Sequence, residues 1–305
     1  MITAILAAAA LLIDAVLGEP RRGHPLVGFG ALATRVEQNL NRAHWTPASR
    51  RAAGLLGLVI AVAPIALAGW WLSHGPWAWV VEMTVLYLAL GLQSLAVHGQ
   101  RVATALRGGD LPAARAALGM MVSRDTAHLE AGGVAAGTAE SLLENGNDAV
   151  FGTLFWFFVA GAPGVIVYRL VNTLDAMWGY KTPRFTAFGW TAARLDDALN
   201  WLPARLTVIT YGLAAARPLA ALRCAWRQGG RTESPNAGIV MAAGAGALGV
   251  RLGGPGRYHG AVRWRPRFGA GARADVAVID RSVRMIRIGA LLWVVVALFT
   301  GWWLC

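Results

Sequence analysis

Glu140-Ser-Leu-Leu-Glu144-Asn145-Gly-Asn-Asp148, followed without a charge by Ala149-Val-Phe-Gly-Thr-Leu-Phe-Trp-Phe-Phe-Val-Ala-Gly-Ala-Pro-Gly-Val-Ile-Val-Tyr168, runs an acidic stripe into a lipid-compatible segment. Residues four apart share one face of a helix. Like charges at that spacing repel, by a few tenths of a kcal/mol per pair on an exposed helix. Beside hydrocarbon the cost is higher, because charges there need partners. A divalent cation or a cationic substrate would supply one.

Working outward, 56% of the 305 residues are hydrophobic and 14% are charged. Soluble domains average about 25% charged residues, so composition places the chain in a membrane. The runs 52–73, 83–101 and 288–305 approach the ~20 residues that a crossing helix needs. Segment 2–13, extended by 15–18 beyond Asp14, lacks the basic start and the small-residue cleavage site of a signal peptide, so it reads as a retained helix. The net charge of +12 is nearly all arginine, with Lys181 the single lysine. These arginines are dispersed among apolar spans without an aromatic-studded basic patch, which argues against nucleic-acid binding. Cys224 and Cys305 have no metal spacing and imply no disulfide framework.

Six arginines lie in 14–51 and none in 73–76. The positive-inside rule puts the first loop in the cytoplasm and the second outside. The first helix then runs inward, 52–72 returns outward, and 77–97 comes back in. Trp70, Trp71, Trp77 and Trp79 mark the outer interface. Segment 98–118 reads as two short helices broken at Gly108-Gly109-Asp110-Leu-Pro112. Gly161-Ala-Pro163-Gly164 interrupts the apolar run 149–171, and 206–216 is too short to cross alone. If both cross, 172–205 lies outside; if both are broken or re-entrant, tolerated where they are buried in protein or line a cavity, it stays cytoplasmic, the placement that its basic Lys181, Arg184, Arg194 and Arg205 favour. The expected fold is an all-α, polytopic membrane protein with about four transmembrane helices, broken apolar helices and a cytoplasmic polar region. It forms one membrane-embedded domain: three spans in 1–97, a cytoplasm-facing region in 98–285 and a last span in 286–305.

Several polar clusters punctuate this frame. Asn172, Asp175, Tyr180 and Lys181 gather at one helix end, suited to phosphate with metal or, more plainly, to a glycine-closed C-terminus. Asp196, Asp197 and Asn200 resemble the ligands that hold magnesium through one or two carboxylates. Asp125 and Thr126 can cap the acidic helix, whereas Arg124 is free to grip an anion. Asp14, near the inner end of the first helix, can snorkel to the interface. His24 before proline suits a loop position or a binding role equally. Glu82, inside the third span, calls for an arginine partner or marks an ion path. Ser234 and Asn236 open a Gly/Ala-rich segment, 242–249, that reads as close helix packing. Walker A, dinucleotide-binding, zinc and Gly-x-Ser-x-Gly patterns are absent. The remaining inventory suits magnesium-dependent handling of phosphates.

In series, these clusters resemble the cobinamide synthase (CobD/CbiB) family of cobalamin biosynthesis. The resemblance is carried by Asp14…Gly18-Glu19-Pro20…His24-Pro25, Ser123-Arg124-Asp125-Thr126, Glu140-Ser141…Glu144-Asn145…Asp148, Asn172-Thr-Leu-Asp175…Gly179-Tyr180-Lys181, Gly189-Trp190…Arg194-Leu-Asp196-Asp197…Asn200-Trp201…Pro203-Ala-Arg205 and Ser234-Pro235-Asn236-Ala-Gly238. The chain departs from the pattern at Gly146-Asn147, where small hydroxyl residues are expected.

The resemblance implies a membrane enzyme that joins the carboxylate of adenosylcobyric acid to aminopropanol, or its O-phosphate, with consumption of ATP. It implies catalytic, metal or ammonium contacts at Glu140, Glu144, Asp148, Asp175, Asp196 and Asp197. Magnesium would fall to Glu144, Asp148, Asp196 and Asp197. Arg124, Lys181 and Arg205 would hold phosphates. Asn145, Asn172, Asn200 and Asn236 would orient substrates, and Asp14, His24, Asp125, Tyr180 and Ser234 would join the binding set. Expected partners are these small molecules and the lipid bilayer, in the inner membrane with the site facing the cytoplasm. Homo-oligomerisation is compatible with the sequence. The rival readings are a non-catalytic membrane regulator resembling the beta-lactamase-induction protein AmpE, and a transporter with Asp14 and Glu82 on an ion path.

Overall fold

The structure, a computed structural model, describes residues 1–20, 23–258 and 261–303. Helices dominate: α1 (Ile2–Leu17), α2 (Pro25–Leu40), α3 (Pro47–Leu72), α4 (Ala78–Ala89), α5 (Leu92–Arg107), α6 (Leu111–Gly119), α7 (Ala131–Gly146), α8 (Gly152–Trp178), α9 (Trp190–Leu199), α10 (Trp201–Ala214), α11 (Pro218–Gln228), α12 (Ala237–Leu248) and α13 (Val276–Trp303). A π-helical turn, Asn147–Phe151, joins α7 to α8. Among the described residues four segments are long and apolar enough to cross a membrane: Pro47–Leu72, Ala78–Arg107, Ala131–Trp178 and Val276–Trp303. The fold is that of an all-α polytopic membrane protein.

Local chemistry explains the helix ends. His24 and Thr46 accept the Leu26 and Ser49 N–H groups ahead of Pro25 and Pro47, which open α2 and α3. Asp110 accepts the Ala113 N–H and starts α6 beyond the expected Gly-Gly break. Gly249, at φ 67°, closes α12 in the left-handed conformation.

The chain divides into two compact units, each assembled from separated stretches. Unit 1 holds Met1–Gly91, Gly152–Asn200 and Ala297–Cys305, and unit 2 holds Leu92–Phe151 and Trp201–Val296.

In unit 1, Phe29, Ala53, Leu58, Leu174, Trp178 and Phe188 form the centre of a buried apolar core. Gly54 lets α3 press on the backbone of Phe188: a Cβ there would lie 1.9 Å from the Phe188 carbonyl oxygen. Trp70, Trp71, Trp77 and Trp79 are exposed around the α3–α4 turn, as an interfacial belt requires. The expected break in the long apolar run is present. Ala160 and Gly161 leave helical geometry, Gly161 at φ 59° ahead of Pro163. Glu82 meets this break: its Oε2 accepts the Ala162 N–H at 2.7 Å. A freed backbone amide and the Ser73 side chain thus partner Glu82 in place of the expected arginine.

Glu37 of α2 anchors the loop before α9. Arg184 donates to both of its oxygens, Nε at 3.0 Å and Nη2 at 2.5 Å, and Asn41 donates at 2.7 Å. Burial pushes the Glu37 carboxyl up, but the Arg184 and Asn41 hydrogen bonds and the charges of Arg184 and Arg50 outweigh it and leave the group below its ordinary 4.5. The stabilisation is therefore complete above 4.5 and is lost as pH falls through that value towards the lower folded-state one. Glu37→Gln should flatten the acid limb of melting temperature measured from about pH 6 to about pH 3. An unchanged acid limb would remove this role.

In unit 2, α12 is the packed centre. Gly244 meets Leu143, and Gly246 meets the Ala220 carbonyl and Cys224. The Gly/Ala-rich run therefore does serve close helix approach. Three boundaries differ from the sequence reading. The span expected at 77–97 breaks between α4 and α5, where Leu90 is extended (ψ 142°). The last helix starts at Val276 rather than 288, so Asp280, Arg281, Arg284 and Arg287 belong to it. Part of the Arg-rich stretch 251–287 forms strands. β1 (Val250–Gly253) pairs antiparallel with β4 (Arg267–Phe268) and parallel with β5 (Ala272–Arg273), while β2 (Gly256–Tyr258) pairs with β3 (Ala261–Arg263). Strands of two to four residues carry no readable alternation.

Candidate active site

The acidic stripe stays on one helix only as far as Gly146. The π turn then inserts an extra residue per hydrogen-bonded ring, so Asp148 no longer continues an ideal four-residue column. Thr207 and Tyr211 of α10 hold the turn. Thr207 Oγ1 donates to Asn147 Oδ1 at 2.9 Å, Asn147 donates to Asp148 at 2.9 Å, and the Tyr211 hydroxyl donates to the Leu143 carbonyl at 2.8 Å. Gly146 is required there, since a Cβ would lie 2.5 Å from the Tyr211 oxygen.

Across residues 137–154, only Glu144, Asn145 and Asp148 escape full burial. Asn145 bonds back to the Ser141 carbonyl at 2.8 Å. The Glu144 carboxylate makes no hydrogen bond or ion pair among the described residues. It feels repulsion from Asp148 and Glu140 and attraction from Arg265.

Glu140 sits differently. It is 4% exposed. Oε1 accepts the Gly253 N–H at 2.7 Å, and Oε2 accepts Arg265 Nη1 at 2.6 Å with Arg124 Nη1 at 3.3 Å. Both oxygens are therefore engaged by the chain itself. Arg124 is committed to Glu140, and it lies so close to α7 that a Cβ on Gly137 would meet its guanidinium at 2.1 Å. Asp125 and Thr126 do not cap α7, which begins five residues later. Asp125 accepts the Ala127 N–H, and Thr126 donates to the Arg115 carbonyl.

Arg205 lies over the Trp201 ring at 4.4 Å and donates to Asn236 Oδ1 at 2.7 Å. Ser234 Oγ accepts the N–H groups of Asn236 and Ala237 at the start of α12. Helix α10 thus carries both the brace on the π turn, Thr207, and the cation, Arg205.

Unit 1 holds the second acidic set, where α8 faces α9. Asp196 accepts Asn172 Nδ2 at 3.1 Å and Asn200 Nδ2 at 3.2 Å. The Tyr168 hydroxyl donates to Asn200 at 2.8 Å, and Arg169 donates to Asn172 at 3.3 Å. Asp197 pairs with Arg194 at 3.6 Å. Asp175 lies over Gly179, whose amide closes α8 on the Asp175 carbonyl, as a glycine-ended helix should. Tyr180 and Lys181 follow in the exposed loop. His24 is occupied structurally: Nδ1 accepts the Leu26 N–H and Nε2 faces the Leu88 carbonyl at 3.2 Å. Asp14 is buried at 1% exposure rather than snorkelling.

Thr207, Tyr211, Tyr168, Arg169 and Arg265 escaped the sequence reading. Tyr168 and Arg169 close the apolar run, and Arg169, three residues before Asn172, carried a readable signal in that spacing. Its Nε is buried without a hydrogen-bond partner. Arg265 carried none, being one arginine in an arginine-rich stretch. Among the described residues no group of three or more His, Cys, Asp or Glu side chains is arranged to hold a metal ion.

A family model described as CobD/Cbib protein matches residues 7–286. A cobalamin biosynthesis protein CobD from Stutzerimonas stutzeri is 54% identical over 96% of both chains. The proteins of that name from Chromobacterium violaceum and Mycobacterium tuberculosis are 51% and 39% identical, over 95% and 94% of this chain and 94% and 93% of theirs. No solved structure is a significant match. Matched along almost its whole length, the chain belongs to the CobD/CbiB family of cobalamin biosynthesis proteins.

Proposed function

We propose that the protein is an amide-forming synthase. It would join the carboxylate of adenosylcobyric acid to aminopropanol or its O-phosphate, with ATP and magnesium, at the cytoplasmic face of the inner membrane. The observation that carries this reading is the window of Glu144, Asn145 and Asp148 in an otherwise buried run, in a chain of the CobD/CbiB family. The arginine-rich first loop supports the orientation.

A carboxylate is a poor electrophile. Transfer of the terminal phosphate of ATP to it gives an acyl phosphate, and the amine then displaces phosphate to form the amide. A protein carboxylate takes the proton from the incoming ammonium. Glu144 suits that contact, since its carboxylate makes no hydrogen bond or ion pair among the described residues. The donor sets fit magnesium of the kind held by one or two carboxylates plus phosphate oxygens. Asp196 accepts from two amides, which orient a carboxylate without neutralising it, and Glu144 with Asp148 forms a repelling pair that a cation would relieve. Bound there, magnesium would offset phosphate charge. Arg205 and Lys181 carry charge suited to phosphate oxygens, whereas Arg124 is paired with Glu140.

The test is purified protein in lipid nanodiscs with ATP, magnesium, adenosylcobyric acid and each amine in turn. The expected result is stoichiometric amide product and phosphate with one of the two amines. Absence of product and of phosphate release with both would end this reading. Solute flux in sealed vesicles without turnover would establish the transporter instead.

A further inference from the structure

Helix α11 has 11 residues, about half of what a crossing helix needs. One side of it is packed: Ala221, Cys224 and Ala225 are buried, and Gly246 of α12 comes so close that a Cβ would lie 2.8 Å from Cys224 Sγ. Another side is apolar and bare. Leu219 is 79%, Leu222 46% and Trp226 92% exposed. At ~100° per residue these three fall within about 60° of one another, and Arg223 and Arg227 fall on the adjoining strip. No acidic residue occurs in 217–231, which holds Arg217, Arg223, Arg227 and Arg231.

Two observations identify what covers this strip. The first is continuity with lipid. Helix α10, the neighbour of α11, lies against the apolar part of α13: Thr210 Oγ1 accepts Trp293 Nε1 at 2.8 Å, and Gly289 is in close approach to Thr210. Helix α13 is one of the four membrane-length segments. Ile209 and Leu213 of α10 are exposed, as are Leu291 and Val295 of α13, so one apolar surface leads from the span onto the α10–α11 hairpin. The second is charge. A basic strip beside an apolar one, with tryptophan at the boundary, is the pattern of a helix lying in the interface of an anionic membrane.

We propose that α11 lies in the plane of the bilayer surface. Leu219, Leu222 and Trp226 enter the boundary between acyl chains and headgroups, and Arg223 and Arg227 meet anionic phospholipid headgroups. This placement is independent of the catalytic reading.

The test uses the full chain with Cys224→Ala and Cys305→Ser. Single cysteines (Leu219→Cys, Leu222→Cys, Arg223→Cys, Trp226→Cys, Arg227→Cys) carry an environment-sensitive fluorophore. The protein is reconstituted in phosphatidylcholine vesicles with or without phosphatidylglycerol. All five positions are exposed, so labelling leaves the packed side intact. Quenching by a doxyl lipid should be at least roughly twofold stronger at 219, 222 and 226 than at 223 and 227, with the reverse order for aqueous iodide. Phosphatidylglycerol should deepen position 226, and Arg223→Ser with Arg227→Ser should abolish that increment. Equal access of iodide to all five positions would overturn the proposal. So would shielding of 219, 222 and 226 from iodide without doxyl quenching, which would assign the strip to a protein partner or a second copy. Equal quenching in both lipid mixtures would overturn the headgroup contact.

Discussion

Glu140→Ala is expected to cost about 3–5 kcal/mol of stability, the loss typical when one member of a buried ionic group is removed. The substitution leaves two guanidiniums, Arg124 and Arg265, without their shared carboxylate, and leaves the Gly253 amide without its acceptor. Arg124 is 8% and Arg265 21% exposed, so solvent replaces little of what is lost. The outcome to look for is a lower midpoint of unfolding in detergent, with early proteolysis in the β1–β5 region that Glu140 ties to α7. Glu140→Gln keeps the shape and one acceptor oxygen and should fall between. A folded Glu140→Ala protein of normal stability without turnover would show instead that Glu140 touches substrate.

This division of labour between Glu140 and Glu144 could not be read along the chain. The i, i+4 spacing makes the two glutamates look equivalent, and nothing nearby separates them. What does separate them lies far off: Arg265 is 125 positions from Glu140 and Gly253 is 113. The membrane character was legible because hydrophobic length is a local property. So was the break in α8, since Gly161 and Pro163 act on their own backbone. The Asp196 set was half legible: Asn200 is four residues away, but Asn172 arrives only because α8 folds against α9. The small sheet, the π turn and the burial of Asp14 depend on tertiary packing, for which composition carries no period. The units interleave for the same reason. The chain passes from one to the other at Gly152, where the π turn runs into α8 and hydropathy does not change.

Glu144→Gln should produce the opposite signature from Glu140→Ala. The residue is partly exposed, and its carboxylate makes no hydrogen bond or ion pair among the described residues. Its neutralisation removes repulsion from Asp148 and Glu140, so stability should hold or rise slightly. If it receives the ammonium or a phosphate-bound cation, turnover should fall at least about a hundredfold, the lower end of what a positioned proton-transfer group supplies. Asp196→Asn makes the parallel case in unit 1. It keeps the volume but replaces one acceptor oxygen by a donor facing Asn172 and Asn200, which already donate. The measurement is initial rate per folded molecule, with unfolding followed on the same preparation. Glu144→Gln with an unaltered rate would detach the exposed acidic window from the chemistry. Lost rate together with lost stability would return Glu144 to the architectural role assigned to Glu140. Lost rate with stability preserved would leave a carboxylate whose only remaining use is on the substrate side.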